Sequence, residues 1–180
     1  MIISDQQREE NFQEYLRLSK DPNYYDVTFD EQSGGISAIH KEHRFDKQLG
    51  PFGYKRGQYE MNALMVLRRN GHQIVLLSER TDVGTKQFDA LLDGFPCEIK
   101  TVEGSGRWAI RTKIYDAARQ GAYYVVLLFP FSGLYDTDRI KEGWIMYEEA
   151  REINNKWHAL SGIFTIIGSS QLEEIEKPPW

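Results

Sequence analysis

The sequence predicts an α/β protein built on a mixed sheet, and three observations carry that expectation. From Gln58 to Phe129 the chain reads helix, three strands, helix, strand. Asp93-Gly94 stands between two apolar runs as a strong two-residue hairpin signal. Gln73–Ser78 and Tyr123–Phe129 are continuous apolar runs of strand length, as expected where a sheet is covered on both faces.

Composition sets the bounds. The chain has 180 residues, 41% hydrophobic and 27% charged, which suits one domain able to bury a core without a metal or disulfide. A single cysteine, Cys97, excludes an intramolecular disulfide framework and a Cys-rich zinc module, and fits a reducing compartment. No apolar run approaches the roughly 18 residues of a membrane span, and the N-terminus lacks the features of a secretory signal. The expectation is a cytoplasmic protein with no membrane contact. With 22 Lys+Arg against 27 Asp+Glu the net charge is -5, so any nucleic-acid contact must be local rather than a coating by the overall field.

In chain order, residues 1–57 are expected to form an N-terminal arm and hairpin packed on the core, 58–130 the core, and 131–180 a C-terminal helix-strand extension of the same domain. Phe12, Tyr15 and Leu16 at helical spacing predict an amphipathic helix that breaks at Asp21-Pro22. Tyr25, Val27 and Phe29 then alternate with polar neighbours, and Ser33-Gly34-Gly35 turns the chain into Ile36, Ala38 and His40. Gly50-Pro51-Phe52-Gly53 punctuates a loop. Glu60, Ala63, Leu64 and Leu67 form the stripe of a helix that Gly71 ends. The strand Gln73–Ser78 is joined through Thr81–Thr85 to Gln87–Leu92, and Pro96–Val102 returns antiparallel. Gly104-Ser105-Gly106 opens a helix over about Trp108–Gln120, followed by the strand Tyr123–Phe129, so the core sheet is expected to have four strands. A helix near Tyr147–Trp157, a strand near Ile163–Ile167 and a charged tail to Trp180 complete the chain.

The chemistry gathers at the Asp93-Gly94 hairpin. With those two residues as the turn, Ala90 faces Cys97 and Asp89 faces Glu98, so two carboxylates meet across the ladder and call for a cation. Lys100 points to the same face, which reads Gln87, Asp89, Glu98, Lys100, while Phe88, Ala90, Cys97 and Ile99 form an apolar opposite face. A divalent metal is one answer to the paired acids. A solvated sheet face with Lys100 neutralising a carboxylate is the other, and the spacing alone admits both. Glu60 adds a carboxylate on a core-facing helix stripe, costly unless paired or metal-bound, and is placed near Asp89, with Glu79 competing for that position. Arg107, Arg111, Lys113 and Arg119 offer a phosphate footprint or a solvated helix face balanced by Glu103 and Asp116, and Trp108 either stacks on a base or packs. His40 and His43 are candidates for metal-free acid-base cleavage, with no partner evident, whereas His72 and His158 read as structural or exposed. No nucleotide-phosphate loop or serine-hydrolase elbow is present.

The run Phe88-Asp89-Ala90-Leu91-Leu92-Asp93-Gly94-Phe95-Pro96-Cys97-Glu98-Ile99-Lys100-Thr101, with Glu60 on a preceding helix, resembles the PD-(D/E)xK nuclease motif. More narrowly, the stretch from Tyr59 to Phe129 is similar to the C-terminal tRNase domain of the CdiA contact-dependent growth-inhibition toxins and to related domains of phage minor-head proteins. It covers less than half the chain, and Phe88 stands where the motif's naming proline would be. The resemblance implies a restriction-endonuclease-like αβββαβ core and metal-dependent hydrolysis of phosphodiester bonds, RNA favoured over DNA. Asp89 and Glu98 would then hold magnesium or manganese, Glu60 a second metal or its water, and Lys100 would orient the water and stabilise the transition state. Thr101, Arg107, Arg111, Lys113 and Gln120 become expected substrate contacts, and a cognate immunity or inhibitor protein an expected partner. A non-catalytic interaction module on the same fold, using the acidic face and the Trp180 tail, is the reading from a different class.

Overall fold

The computed structural model describes residues 3–79, 88–106, 108–154 and 158–179. The expected Thr81–Thr85 connection, Gln87, Arg107, Trp157 and Trp180 therefore lie outside the described residues. The described residues form four α-helices and one mixed sheet of eight strands: α1 Asp5–Lys20, β1 Tyr24–Phe29, β2 Ile36–His40, α2 Arg56–Arg69, β3 Gln73–Leu76, β4 Ala90–Leu92, β5 Phe95–Thr101, α3 Ala109–Arg119, β6 Tyr124–Phe129, α4 Thr137–Ile153, β7 Gly162–Ile167 and β8 Gln171–Ile175. No helix among them is long and apolar enough to cross a membrane.

The strands lie in the sheet in the same order as in the chain. Pairs β1–β2, β3–β4, β4–β5 and β7–β8 are antiparallel; β2–β3, β5–β6 and β6–β7 are parallel and are joined by the crossovers that carry α2, α3 and α4. The expected four-stranded core is thus the middle of a larger sheet. The β1–β2 hairpin joins it through β2, which runs beside β3.

Alternation along the strands sends side chains to two faces, each roofed differently. On one face Ala63, Leu64, Val66 and Leu67 of α2 cover Ile39, Ile74, Leu76, Ala90, Cys97, Ile99, Val126 and Phe164. On the other, α1 covers β1–β3 through Leu18 against Ile36, Ala38 and Val75, while α3 and α4 cover β6 and β7 through Ile114, Trp144 and Tyr147 against Val125, Leu127 and Ile163. The β4–β5 hairpin therefore presents Leu91, Pro96, Glu98 and Lys100 to the second face, between the α1 layer and the α3–α4 layer. Strands β2, β3, β5, β6 and β7 run one way and are added in one direction, yet α2 lies on the face opposite α3 and α4. The α2 crossover consequently has the opposite hand to the other two, where a single hand is the rule.

Local chemistry accounts for most boundaries. Ser4 Oγ accepts the Gln7 amide at 3.1 Å to start α1, and Asp136 does the same for Arg139, at 3.1 Å, to start α4. Helix α2 stops at Asn70, and Gly71 takes φ +90° beyond it. Asp93 and Gly94 have φ +50° and +82°, the paired positive values of a two-residue hairpin turn.

Three expectations need correction. Helix α4 begins at Thr137, ten residues before the expected Tyr147, because Asp136 caps it and Ile140, Trp144 and Tyr147 make its buried stripe. The charged tail contains β8, whose Leu172 and Ile175 face inward while Glu174 stays at the exposed edge. Tyr25 is not on the inner face with Val27 and Phe29: Asp26, at φ +50°, sits in a register shift that puts Tyr24 inside and leaves Tyr25 47% exposed.

Gly35 shows how closely α2 meets β2. A methyl group there would stand 2.0 Å from the Arg68 carbonyl oxygen, which is backbone and cannot swing away. Gly35→Ala is expected to lower stability by about 3 kcal/mol in urea denaturation; an unchanged midpoint would mean that the helix end moves without cost.

Candidate active site

The two-residue turn fixes the parity of the hairpin. The ladder pairs Leu92 with Phe95, Leu91 with Pro96 and Ala90 with Cys97, as the turn chemistry predicts. Asp89 lies one residue before β4 and is held by its side chain: Oδ2 accepts the Ile99 amide at 2.8 Å, and its carbonyl accepts the Leu77 amide at 3.1 Å. Lys100 Nζ lies 3.4 Å from Asp89 Oδ2 and donates a hydrogen bond to Glu98 Oε2. With its amide nitrogen facing the carboxylate, Gln120 at the end of α3 donates to both Glu98 oxygens, at 3.0 and 2.9 Å. Three groups that the sequence placed on one face thus converge, and Gln120, expected to meet substrate, is turned onto Glu98 instead.

This face is not the solvated side of a half-buried sheet. Glu98 is 1% exposed. Burial and the neighbouring Asp89 charge raise its pKa to about 7, against the opposing pull of Lys100. Burial works against the Lys100 ammonium as well, but Asp89 and Glu98 outweigh it and hold the lysine above its ordinary value. Lys100 is therefore a fixed cation at neutral pH, and Glu98 the group poised to exchange a proton. Cys97, on the opposite face of the strand, has its thiol pushed well up by burial.

Glu60 is not joined to this cluster by a hydrogen bond or ion pair among the described residues. Helix α2 lies on the other face of the sheet, and there Glu60 Oε2 meets His43 Nε2 at 3.3 Å. His43 Nδ1 lies 3.0 Å from the Leu77 carbonyl and 3.6 Å from Glu79 Oε1, and the Phe45 ring packs edge-on against the imidazole at 4.8 Å. Desolvation opposes charging of this ring, but the Glu60 hydrogen bond, the Leu77 carbonyl and the two carboxylates prevail and raise its pKa. Glu79 is raised in turn, by burial first and then by the charges of Glu60 and Asp89, against His43, so the two clusters feel each other at the same edge of the sheet. The sequence offered Glu60 and Glu79 as rivals for one position; both turn to His43. The residue that sequence reasoning left without a partner is their shared one.

The remaining candidates fall elsewhere. Arg111 stacks over the ring of Trp108, 4.8 Å from its centroid, and Trp108 is 48% exposed. Glu103 leaves the helix it was expected to balance and forms a two-point ion pair with Arg56, both hydrogen bonds being 2.7 Å, which ties the exit of β5 to the first turn of α2. Thr101 ends β5 opposite Leu128, and Lys113 lies on α3. His40 Nδ1 accepts the Glu42 amide at 3.2 Å with its ring against Tyr24. His72 bonds Asp93 at 2.8 Å, and His158 stacks on Tyr123.

No protein-family model, curated protein or solved structure matches this chain. Asp89 and Glu98 are hard oxygen donors, and burial of Glu98, with the Asp89 charge beside it, raises its pKa despite the Lys100 ammonium. That donor set suits magnesium or manganese. Among the described residues no group of three His, Cys, Asp or Glu side chains is gathered as a metal site would gather them, and Glu60 is directed to His43.

Proposed function

We propose that the protein is a metal-dependent nuclease that hydrolyses phosphodiester bonds, with RNA, and tRNA in particular, as the favoured substrate. The observation that carries this reading is the contact of Lys100 with both Asp89 and Glu98 on one face of the sheet, where β3 and β5 end. The carboxyl ends of parallel strands are where open α/β sheets place their ligands. The order α2, β3, β4, β5, α3, β6 supports a restriction-endonuclease-like core, and the preference for RNA rests on the resemblance to toxin tRNase domains.

In this reading Asp89 and Glu98 hold the cation, which when bound supplies charge neutralisation at the phosphate and acidifies water. The chain's own groups do the positioning. The Ile99 amide fixes the Asp89 carboxylate, and Gln120 holds that of Glu98. Lys100 stays protonated, so it orients the attacking water and stabilises the charge that builds on the phosphate rather than accepting a proton. A bound cation would hold Glu98 as the carboxylate, so Glu98 serves as a ligand and not as the proton carrier. His43 is poorly placed to replace them in metal-free cleavage, since it is buried and both ring nitrogens are engaged.

The test is direct. Purified protein is incubated with tRNA, ribosomal RNA and duplex DNA, with magnesium and with chelator, beside a Glu98→Gln variant. Cleavage of tRNA that requires magnesium and is lost in the variant is the expected result. Cleavage that persists in chelator, or none in any condition, removes the proposal; the second outcome favours an interaction module.

A further inference from the structure

A cavity of about 770 Å³ opens where the loop after β2 meets the first turn of α2, lined among others by His43, Arg44, Phe45, Lys47, Lys55 and Met61. Its inner wall carries His43, which holds Glu60 at 3.3 Å on the face of the sheet that α2 covers. Arg44, Lys47 and Lys55 are exposed, and none of them forms an ion pair among the described residues. Asp46, also on the wall, is already engaged: Oδ1 accepts the Gln48 amide at 2.8 Å and Oδ2 lies 3.9 Å from Arg56. The amides of Arg56 and Gly57 are taken by the Gln48 and Asp46 carbonyls, at 3.0 and 2.9 Å, so what the cavity offers an anion is side-chain charge. On a chain whose net charge is -5, three cations around one cavity, without an ion pair among the described residues, are a local concentration of positive charge.

A cavity of this volume has room for a nucleotide. The Phe45 ring and the Met61 thioether give it an apolar side suited to a base, and the three cations suit the phosphates on either side of that base. A base inside a duplex would first have to leave its stack.

We propose that this cavity receives an unpaired nucleotide of the substrate, with Arg44, Lys47 and Lys55 holding the flanking phosphates. The inference rests on the nuclease reading and adds to it that the substrate is single-stranded where it meets this loop. It also adds a phosphate footprint at the loop before α2 to the one that the sequence offered on α3.

Binding and cleavage are measured separately. A labelled 2′-O-methyl RNA of about twelve nucleotides is titrated in chelator, free and in duplex form, across salt from about 50 to about 200 mM, and binding is read by fluorescence anisotropy. The wild-type protein is expected to bind the single strand more tightly than the duplex. The Arg44→Gln/Lys47→Gln/Lys55→Gln variant is expected to lose at least about tenfold in affinity, and the slope of log affinity against log salt is expected to shrink by about 2, from about 0.7 per phosphate contact. Lys47→Gln alone, expected to remove about 0.7 of that slope, is read if the triple variant is misfolded by circular dichroism. Equal binding of duplex, an unchanged slope, or no binding by the wild-type protein overturns the proposal. Parallel assays with magnesium and cleavable tRNA separate the two claims. Charge-dependent binding without any cleavage sinks the nuclease reading and leaves this site standing; cleavage with binding untouched by the substitutions does the reverse.

Discussion

Lys100→Ala is expected to reduce magnesium-dependent cleavage by about a thousandfold, chiefly in kcat, while costing only about 1–3 kcal/mol of stability. The activity loss follows from position: Lys100 is the one cation in contact with both carboxylates, and no other described side chain takes its place. The modest stability loss follows from titration. Removing one partner of a buried ion pair costs about 3–5 kcal/mol when the other charge is trapped. Glu98 is not trapped, because its pKa already stands at about 7 and loss of the ammonium drives it further up, so it sheds its charge by taking a proton. Turnover and KM in magnesium, with urea denaturation of the same samples, check both halves. A variant that cleaves near the wild-type rate would take Lys100 out of the chemistry.

The second large effect is on stability against pH. In chelator, stability is expected to fall by about 3 kcal/mol as pH rises from about 4.5 to beyond 7, from Glu98 alone. The sign comes from proton counts. The folded state holds the Glu98 proton up to about pH 7, whereas the unfolded chain releases it near the ordinary 4.5. Across that window the folded form binds more protons, so each rise in pH disfavours it; below both values the effect vanishes. His43 runs in the same sense, since its raised pKa gives a contribution present below 6.5 and lost as pH passes the folded value. The Glu98→Gln profile subtracts this, because the variant keeps His43 and lacks the titrating acid. Magnesium at pH 8 should restore stability to the wild type and leave the variant unmoved. Parallel pH profiles for the two proteins would show that Glu98 does not ionise in the fold as argued.

What the sequence made legible was whatever a short-range rule decides. Asp93-Gly94 favours a two-residue hairpin turn over longer loops, that turn sets parity, and parity puts Asp89, Glu98 and Lys100 on one face without knowledge of the rest of the molecule. The α2 stripe and its end at Gly71 were equally local. What stayed hidden depended on partners distant in the chain. Glu60 was expected beside Asp89 because a core-facing acid needs a partner; His43, 17 residues away, supplies it, and nothing in either local sequence says so. Gln120 was expected to meet substrate, and the β5–α3–β6 crossover lays it on Glu98. Strand β8 carries Glu173 and Glu174 and resembled a solvated tail, since an edge strand has one side that water can satisfy. Residues Tyr24 to Val27 alternate correctly by eye, but one positive φ at Asp26 shifts the register, a change that no hydropathy pattern records.

Because the order of strands in the sheet repeats their order in the chain, each segment leaving a ribosome meets an edge already waiting for it, and none must be threaded between two that have formed. Glu98 and Lys100 emerge on the same strand, two positions apart, so the acid that is hardest to enclose arrives together with its counter-ion. Assembly from the first residue onward thus never has to shelter that carboxylate while its neutralising neighbour is still unsynthesised.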